Sequence, residues 1–195
     1  MSYLETIAPD QAPEEVAAMY RRQRAHYGFL PNYARVFSHR PEVMSRWAAL
    51  QATIRRPMAP RRFELVTLAA ARALGNTYCA LAHAQALSGL LGRAAALAVA
   101  RGEEAGLSEA ERAMMAFAAK VARRAQAVTA EDIAALREHG LGDDEIFDIV
   151  AVVAARAFFT RILDGLGVQA DAAFRDFPAE LIESLSVGRP IASEA

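Results

Sequence analysis

Residues 75–87 read GNTYCALAHAQAL, and they place a cysteine and a histidine on a helix that is otherwise rich in alanine and leucine. Cys79 is the only cysteine of the chain, and His83 follows it by four residues. At this spacing the sulfur and the imidazole share one face of the helix. That face continues through apolar side chains, which predicts that it is buried: Ala82, Ala86, Leu87 and Leu90. A buried imidazole needs a hydrogen-bond partner.

The start of this helix favours a reactive thiol. Gly75 suits the end of the preceding helix, and Asn76 or Thr77 suits the N-cap of the next one. Either cap places Cys79 in the first turn, where free N–H groups and the helix dipole favour a thiolate. If Asn76 is the cap, its side-chain oxygen is expected to accept a hydrogen bond from the N–H of Cys79.

Glu64 is the candidate partner for the histidine. It is the only acidic residue in the apolar helix FELVTLAAARAL, residues 63–74. Because a tight turn joins this helix to the next one, we expect Glu64 to reach the face of Cys79 and His83. The workable chemistry has Glu64 as proton acceptor or relay, His83 as base or bridging cation, and Cys79 as nucleophile.

Each of these residues also has an ordinary structural interpretation. Cys79 can be an inert small hydrophobic residue, and His83 a hydrogen-bonded core histidine. Glu64 can pair with Arg61 one turn earlier, which would contribute little to stability. A zinc site would need three or four ligands, and the other histidines lie at no telling spacing: His26, His39 and His139. We therefore predict neither a metal nor a cofactor.

The rest of the chain predicts an all-α fold. Of its 195 residues, 54% are hydrophobic, and the apolar spacing is close to 3.6 residues almost throughout. A net charge of −1 argues against nucleic acid as a partner. No apolar run approaches a membrane span and no signal peptide opens the chain, so we expect a cytoplasmic protein. Helices are predicted at about 13–26, 41–56, 61–74, 76–92, 93–103, 108–126, 129–140 and 143–164, with an irregular or helical link between Pro31 and Pro41.

The spacing of Glu64, Cys79 and His83 resembles the AhpD-like alkylhydroperoxidase core of the carboxymuconolactone decarboxylase superfamily. That core has the pattern Glu-…-Cys-x-x-Cys-x-x-x-His. Longer stretches are similar to its peroxidase-related subgroup, over about residues 5–191. These stretches are GFLPNYARVFSHRPEVMSRW, LSEAERAMMAFAAKVARRA, VTAEDIAALREHGLGDDEIFDIVAVVAARAFFTRILDGLGV and VGRPI.

One position departs from the family pattern. Asn76 stands where the family has the first cysteine of its pair. The resemblance implies peroxide attack at a cysteine to give a sulfenic acid, followed by a disulfide that a dithiol partner reopens. Without the first cysteine no internal disulfide forms, so an external thiol or dithiol, or Cys79 of a neighbouring subunit, must resolve the sulfenic acid.

The resemblance implies an AhpD-like helical fold in a homo-oligomeric bundle, as a dimer, trimer or hexamer. It implies an oxidoreductase that reduces hydrogen peroxide or small organic hydroperoxides through Cys79, with His83 and Glu64 managing protons. We expect one domain over residues 1–195: an N-terminal helical arm (1–40), a core with the motif (41–126), a second helical layer (127–175) and a C-terminal arm (176–195) that packs against another surface.

Two other functions remain open. Loss of the partner cysteine is compatible with a non-catalytic helical oligomer that senses redox state or binds a small ligand. An enzyme acting on small carbonyl or lactone compounds rests only on the breadth of the superfamily, and the thiol argues against decarboxylase activity. Three aromatic residues are candidates for lining a pocket: Tyr78, Phe158 and Phe159.

Overall fold

The computed structural model describes residues 2–103 and 106–193. Over these ranges the chain forms ten α-helices, three short 3-10 segments and no β-strand, which confirms the predicted all-α fold. The helices are α1 (Glu14–Tyr27), α2 (Asn32–Val36), α3 (Pro41–Arg55), α4 (Pro60–Ala73), α5 (Thr77–Leu91), α6 (Arg93–Arg101), α7 (Glu109–Arg124), α8 (Ala130–Glu138), α9 (Asp143–Gly165) and α10 (Ala179–Leu185). The 3-10 segments are Phe37–His39, Ala125–Ala127 and Ala172–Asp176. None of the helices described is long and apolar enough to cross a bilayer.

Local sequence signals set most of the helix ends. Pro41 and Pro60 each occupy the first position of a helix, where a missing N–H costs nothing. At the start of α7, Ser108 Oγ accepts from the N–H of Glu111, and the Glu111 carboxylate accepts from the N–H of Ser108. These reciprocal hydrogen bonds form a capping box. For the eight helices predicted with bounds, the observed ends differ from the expected ones by no more than two residues; α2 and α10 had no predicted bounds.

Helix α4 lies at the centre of the molecule. It packs against α5, α7 and α9, and every residue from Phe63 to Ala71 is buried. A helix that is buried on all sides needs neighbours on all sides, so α4 acts as the axis around which the other helices are arranged. The one acidic residue in this buried stretch is Glu64.

The buried face of α5 differs from the one predicted. Four side chains of this helix are fully buried: Ala80, Leu81, Ala84 and Leu87. On the face that continues from Cys79 and His83, Leu90 is 48% exposed and Ala86 is exposed. The prediction that this whole face is buried is therefore wrong. The face opens beyond His83 because none of the described helices covers Ala86 and Leu90.

The C-terminal segment packs on its own chain. Helix α10 contacts α5 and α6, and an isolated parallel bridge joins Ala170 to Ile191. The N–H of Gly188 donates to Oγ1 of Thr77 at 2.9 Å, at the start of α5. Nearby, Gly75 has a φ of +71°, which favours glycine in the tight turn between α4 and α5. The tail thus braces the turn that precedes Cys79.

Candidate active site

The start of α5 holds Cys79 in a fixed position. Asn76 is the N-cap, and its Oδ1 accepts from the N–H of Cys79 at 2.8 Å, as predicted. The Nδ2 group of Asn76 donates to Oδ1 of Asp164 on α9 at 2.9 Å. Asn76 therefore caps α5 and ties it to α9.

Glu64 and His83 form the hydrogen-bonded pair expected from the sequence. Oε2 of Glu64 lies 2.6 Å from Nδ1 of His83, and Glu64 is only 3% exposed. The other carboxylate oxygen lies 3.7 Å from the guanidinium of Arg55, whose side chain is largely exposed. The alternative pairing of Glu64 with Arg61 is wrong, because Arg61 binds both carboxylate oxygens of Glu111.

Cys79 and His83 line the same cavity, whose volume is about 470 Å³. Helices α1, α3, α5 and α9 contribute most of its walls. Six aromatic side chains line it: Tyr27, Tyr33, Trp47, Phe63, Tyr78 and Phe159. Cys79 is only 3% exposed, so its sulfur lies at the inner end of this space rather than on the protein surface.

Of the three aromatic residues expected to line a pocket, two do so. Tyr78 and Phe159 are part of the cavity wall. Phe158 is exposed and instead lines a separate apolar groove between α3 and α9. Adjacent residues on a helix point in directions about 100° apart, and on α9 Phe159 points into the cavity while Phe158 points into the groove.

A buried arginine completes the site. Arg156 on α9 is 4% exposed, and its Nη1 donates to Sγ of Cys79 at 3.5 Å. Its guanidinium lies 6.0 Å from the ring centroid of Trp47 and 5.7 Å from that of Phe159. Sequence reasoning missed this residue. Its signal was present, since Arg156 is the only charged residue between Asp148 and Arg161.

Burial and this arginine act in opposite directions on the thiol. Burial raises the pKa of Cys79 above its usual value, whereas the Arg156 guanidinium lowers it and the Asp164 carboxyl raises it. The net rise is opposite to the direction expected from the helix start alone, because a thiolate loses its hydration inside the cavity. The resting cysteine is therefore a thiol, and it needs a base to become a nucleophile.

His83 has the properties of such a base. Burial lowers its pKa below the ordinary value of 6.5, and Arg156 lowers it further, while the hydrogen bond to Glu64 opposes both effects. The ring is therefore neutral at neutral pH. When its Nδ1–H donates to Glu64, Nε2 is left as the proton acceptor. The described residues hold no group of three His, Cys, Asp or Glu side chains close enough to bind a metal ion.

The fold resembles solved structures that share little sequence with this chain. No family model and no curated protein matches it. A peroxidase-related protein with an alkylhydroperoxidase AhpD core from Ralstonia eutropha JMP134 superposes with a TM-score of 0.74 at 24% identity, over 89% of this chain and 94% of that one. A peroxidase-related protein from Silicibacter sp. TM1040 gives 0.76 at 21% identity, over 90% and 94%.

An enzyme is also among the similar structures. The debrominase Bmp8 superposes with a TM-score of 0.72 at 20% identity, over 92% of this chain and 96% of its own. A cysteine-to-alanine variant of Bmp8, in complex with 2,3,4-tribromopyrrole, gives 0.71 at 21% identity. At these identities the likeness concerns the backbone. This chain has the AhpD-like helical fold of peroxidase-related proteins.

Proposed function

We propose that the protein is a thiol-dependent oxidoreductase that reduces hydrogen peroxide or a small organic hydroperoxide at Cys79. The observation that carries the proposal is the shared cavity of Cys79 and His83, with His83 held by Glu64 at 2.6 Å. A nucleophile, a base and a group that orients the base are the parts that such chemistry needs.

The first step converts the thiol to a sulfenic acid. His83 accepts the proton of Cys79, and the thiolate attacks the terminal oxygen of the hydroperoxide. The O–O bond breaks, the sulfur gains oxygen and is oxidised, and the alkoxide leaves with the proton that His83 returns. The products are Cys79 sulfenic acid and an alcohol, or water when the substrate is hydrogen peroxide. Glu64 stabilises the imidazolium that forms in between.

Recovery requires thiols that the chain does not contain. A first external thiol condenses with the sulfenic acid, releasing water and forming a mixed disulfide. A second thiol attacks this disulfide, restores Cys79 and leaves as the oxidised disulfide. A homo-oligomer remains part of this proposal, although Cys79 of a neighbouring subunit could resolve the sulfenic acid only if both cysteines left their cavities.

Trapping the sulfenic acid tests the proposal. The protein is treated with one equivalent of cumene hydroperoxide and a sulfenate-specific reagent, and the label is located by mass spectrometry. We expect the label on Cys79, and about 100-fold slower labelling in Glu64→Gln, because His83 then lacks the carboxylate that orients it and stabilises its protonated form. Glu111→Gln is the matched control, since it makes the same change in an ion pair outside the cavity.

Two results would count against this function. An unlabelled Cys79, under conditions that oxidise a free thiol in the same solution, would end the proposal. Labelling without any recovery by a panel of thiols would instead support the redox sensor, which oxidises once and does not turn over.

Reductive dehalogenation of an aromatic ring is the second candidate. It is favoured by the six aromatic side chains of the cavity, which suit a planar ring better than hydrogen peroxide, and by the Bmp8 complex with 2,3,4-tribromopyrrole. Here the Cys79 thiolate would take the halogen, the ring carbon would gain a proton, and an external thiol would release halide and form a disulfide. Bromide release from 2,3,4-tribromopyrrole in the presence of a thiol would support this activity, and its absence would exclude that substrate.

A further inference from the structure

The cavity lining contains basic side chains and no carboxylate among the described residues. Its lining contains two arginines and two histidines: Arg55, Arg156, His26 and His83. Among the described residues no aspartate or glutamate lines it, because Glu64 lies behind His83. A guanidinium that faces a space with no carboxylate in its lining attracts anionic groups.

Arg156 is the group in this lining that lacks a counter-ion. It is 4% exposed, and no carboxylate of the described chain lies within ion-pair distance of it. Its Nε has no hydrogen-bond partner among the described residues, and its Nη1 binds a sulfur that is a neutral thiol at rest. Guanidinium groups stay protonated in proteins, and a buried charge without a counter-ion is costly. The rings of Trp47 and Phe159 offset only part of that cost.

The walls around this cation are mostly apolar, although Gln23 and Gln51 also line the space. Trp47, Phe63 and Phe159 face the same space, together with Met44 and small alanine side chains. The cavity therefore combines a cation at its inner end with walls that suit a flat or branched hydrocarbon body.

We propose that the cavity binds organic anions, with the acid group paired to Arg156 and an aromatic body lying against Trp47 and Phe159. Where this inference concerns the substrate, it rests on the proposed function. The substrate is then an acidic aromatic compound rather than hydrogen peroxide. A guanidinium has five N–H donors, so it can hold a carboxylate while one donor remains on the sulfur.

Benzoate and benzamide are the probes that test the inference. They have nearly the same shape, but only benzoate is an anion at neutral pH. Trp47 is the only tryptophan of the chain and lines the cavity, so its fluorescence reports on binding. We expect saturable quenching by benzoate with a dissociation constant at least about tenfold lower than that of benzamide. Bound benzoate is also expected to slow the alkylation of Cys79 by iodoacetamide.

The variants assign the effect to Arg156. Arg156→Met is expected to remove the preference for benzoate. Arg161→Met makes the same change at an exposed position on the same helix, and it is expected to keep the preference. Three results would each overturn the inference. They are equal affinities of the unmodified protein for benzoate and benzamide, quenching by neither probe, and a preference for benzoate that survives in folded Arg156→Met. The comparison of the two probes on the unmodified protein decides the matter even if Arg156→Met does not fold.

This test is independent of the chemistry. Neither probe is a hydroperoxide, so failure of sulfenic acid formation would leave the binding result unchanged. Conversely, if the sulfenic acid forms but both probes bind equally well, the proposed function stands and the inference that the cavity binds organic anions is refuted.

Discussion

Replacing Arg156 with methionine is expected to slow the reaction of Cys79 with alkylating reagents at neutral pH. The guanidinium lies 3.5 Å from the sulfur, and both groups are almost fully buried. At an effective dielectric constant of about 20, a unit positive charge at that distance stabilises a thiolate by about 5 kcal/mol. Since the charge is spread over the guanidinium, we expect the actual stabilisation of the thiolate to be about 2 to 4 kcal/mol. Losing it in Arg156→Met lowers the thiolate population at least about 30-fold.

The assay is the rate of Cys79 alkylation by iodoacetamide as a function of pH, measured by mass spectrometry. Arg156→Met is expected to react more slowly than the unmodified protein at neutral pH and to approach its rate in strong alkali, where the thiol ionises in both. Arg161→Met serves as the matched control, because it removes an exposed charge from the same helix. The variant is expected to be at least as stable as the parent, since it loses a buried charge without a counter-ion. An equal or faster alkylation rate in folded Arg156→Met would refute the role assigned to this arginine.

Two further predictions concern stability. Asn76→Ala is expected to lower the free energy of unfolding by about 2 to 4 kcal/mol in urea denaturation, because it removes the N-cap of α5 and the hydrogen bond to Asp164. Asn76→Ser should recover only the capping part, and a loss below about 0.5 kcal/mol in Asn76→Ala would contradict the assigned contacts. Burial lowers the pKa of His83 from 6.5, so the unfolded chain takes up a proton at a higher pH than the folded one. The free energy of unfolding should therefore fall as pH drops below about 6.5, and this fall should be smaller in His83→Gln. If urea denaturation at several pH values gives the same pH dependence of the unfolding free energy for both proteins, the prediction is contradicted.

The helices and the core of the site could be predicted because their signals are local. Prolines, capping residues and glycines mark helix ends within a few residues of the end itself. The approach of Glu64 to His83 follows from two adjacent helices joined by the turn at Gly75, so few arrangements are possible. The N-cap role of Asn76 likewise depends on contacts three residues away.

The rest of the site depends on packing between distant segments. Arg156 lies 77 residues from Cys79, on a helix that is apolar on several faces, so periodicity does not indicate which face meets the cavity. The exposed part of α5 was missed for a related reason. Alanine is compatible with both buried and exposed positions, and an alanine-rich face does not show where a neighbouring helix ends. The direction of the Cys79 pKa also required the burial seen in the structure.

The depth of Cys79 restricts which molecules can regenerate it. Cys79 is 3% exposed and is the only cysteine of the chain, so in the proposed cycle the reductant and the oxidant both have to enter the same cavity. Direct contact between two such sulfurs in neighbouring copies would require both to leave their cavities. We therefore expect a low-molecular-weight thiol to reach Cys79 faster than a thiol fixed on the surface of a folded protein. The rate of Cys79 regeneration should therefore increase with the concentration of small thiols. The cavity would then select by size both the hydroperoxide that oxidises Cys79 and the thiol that reduces it.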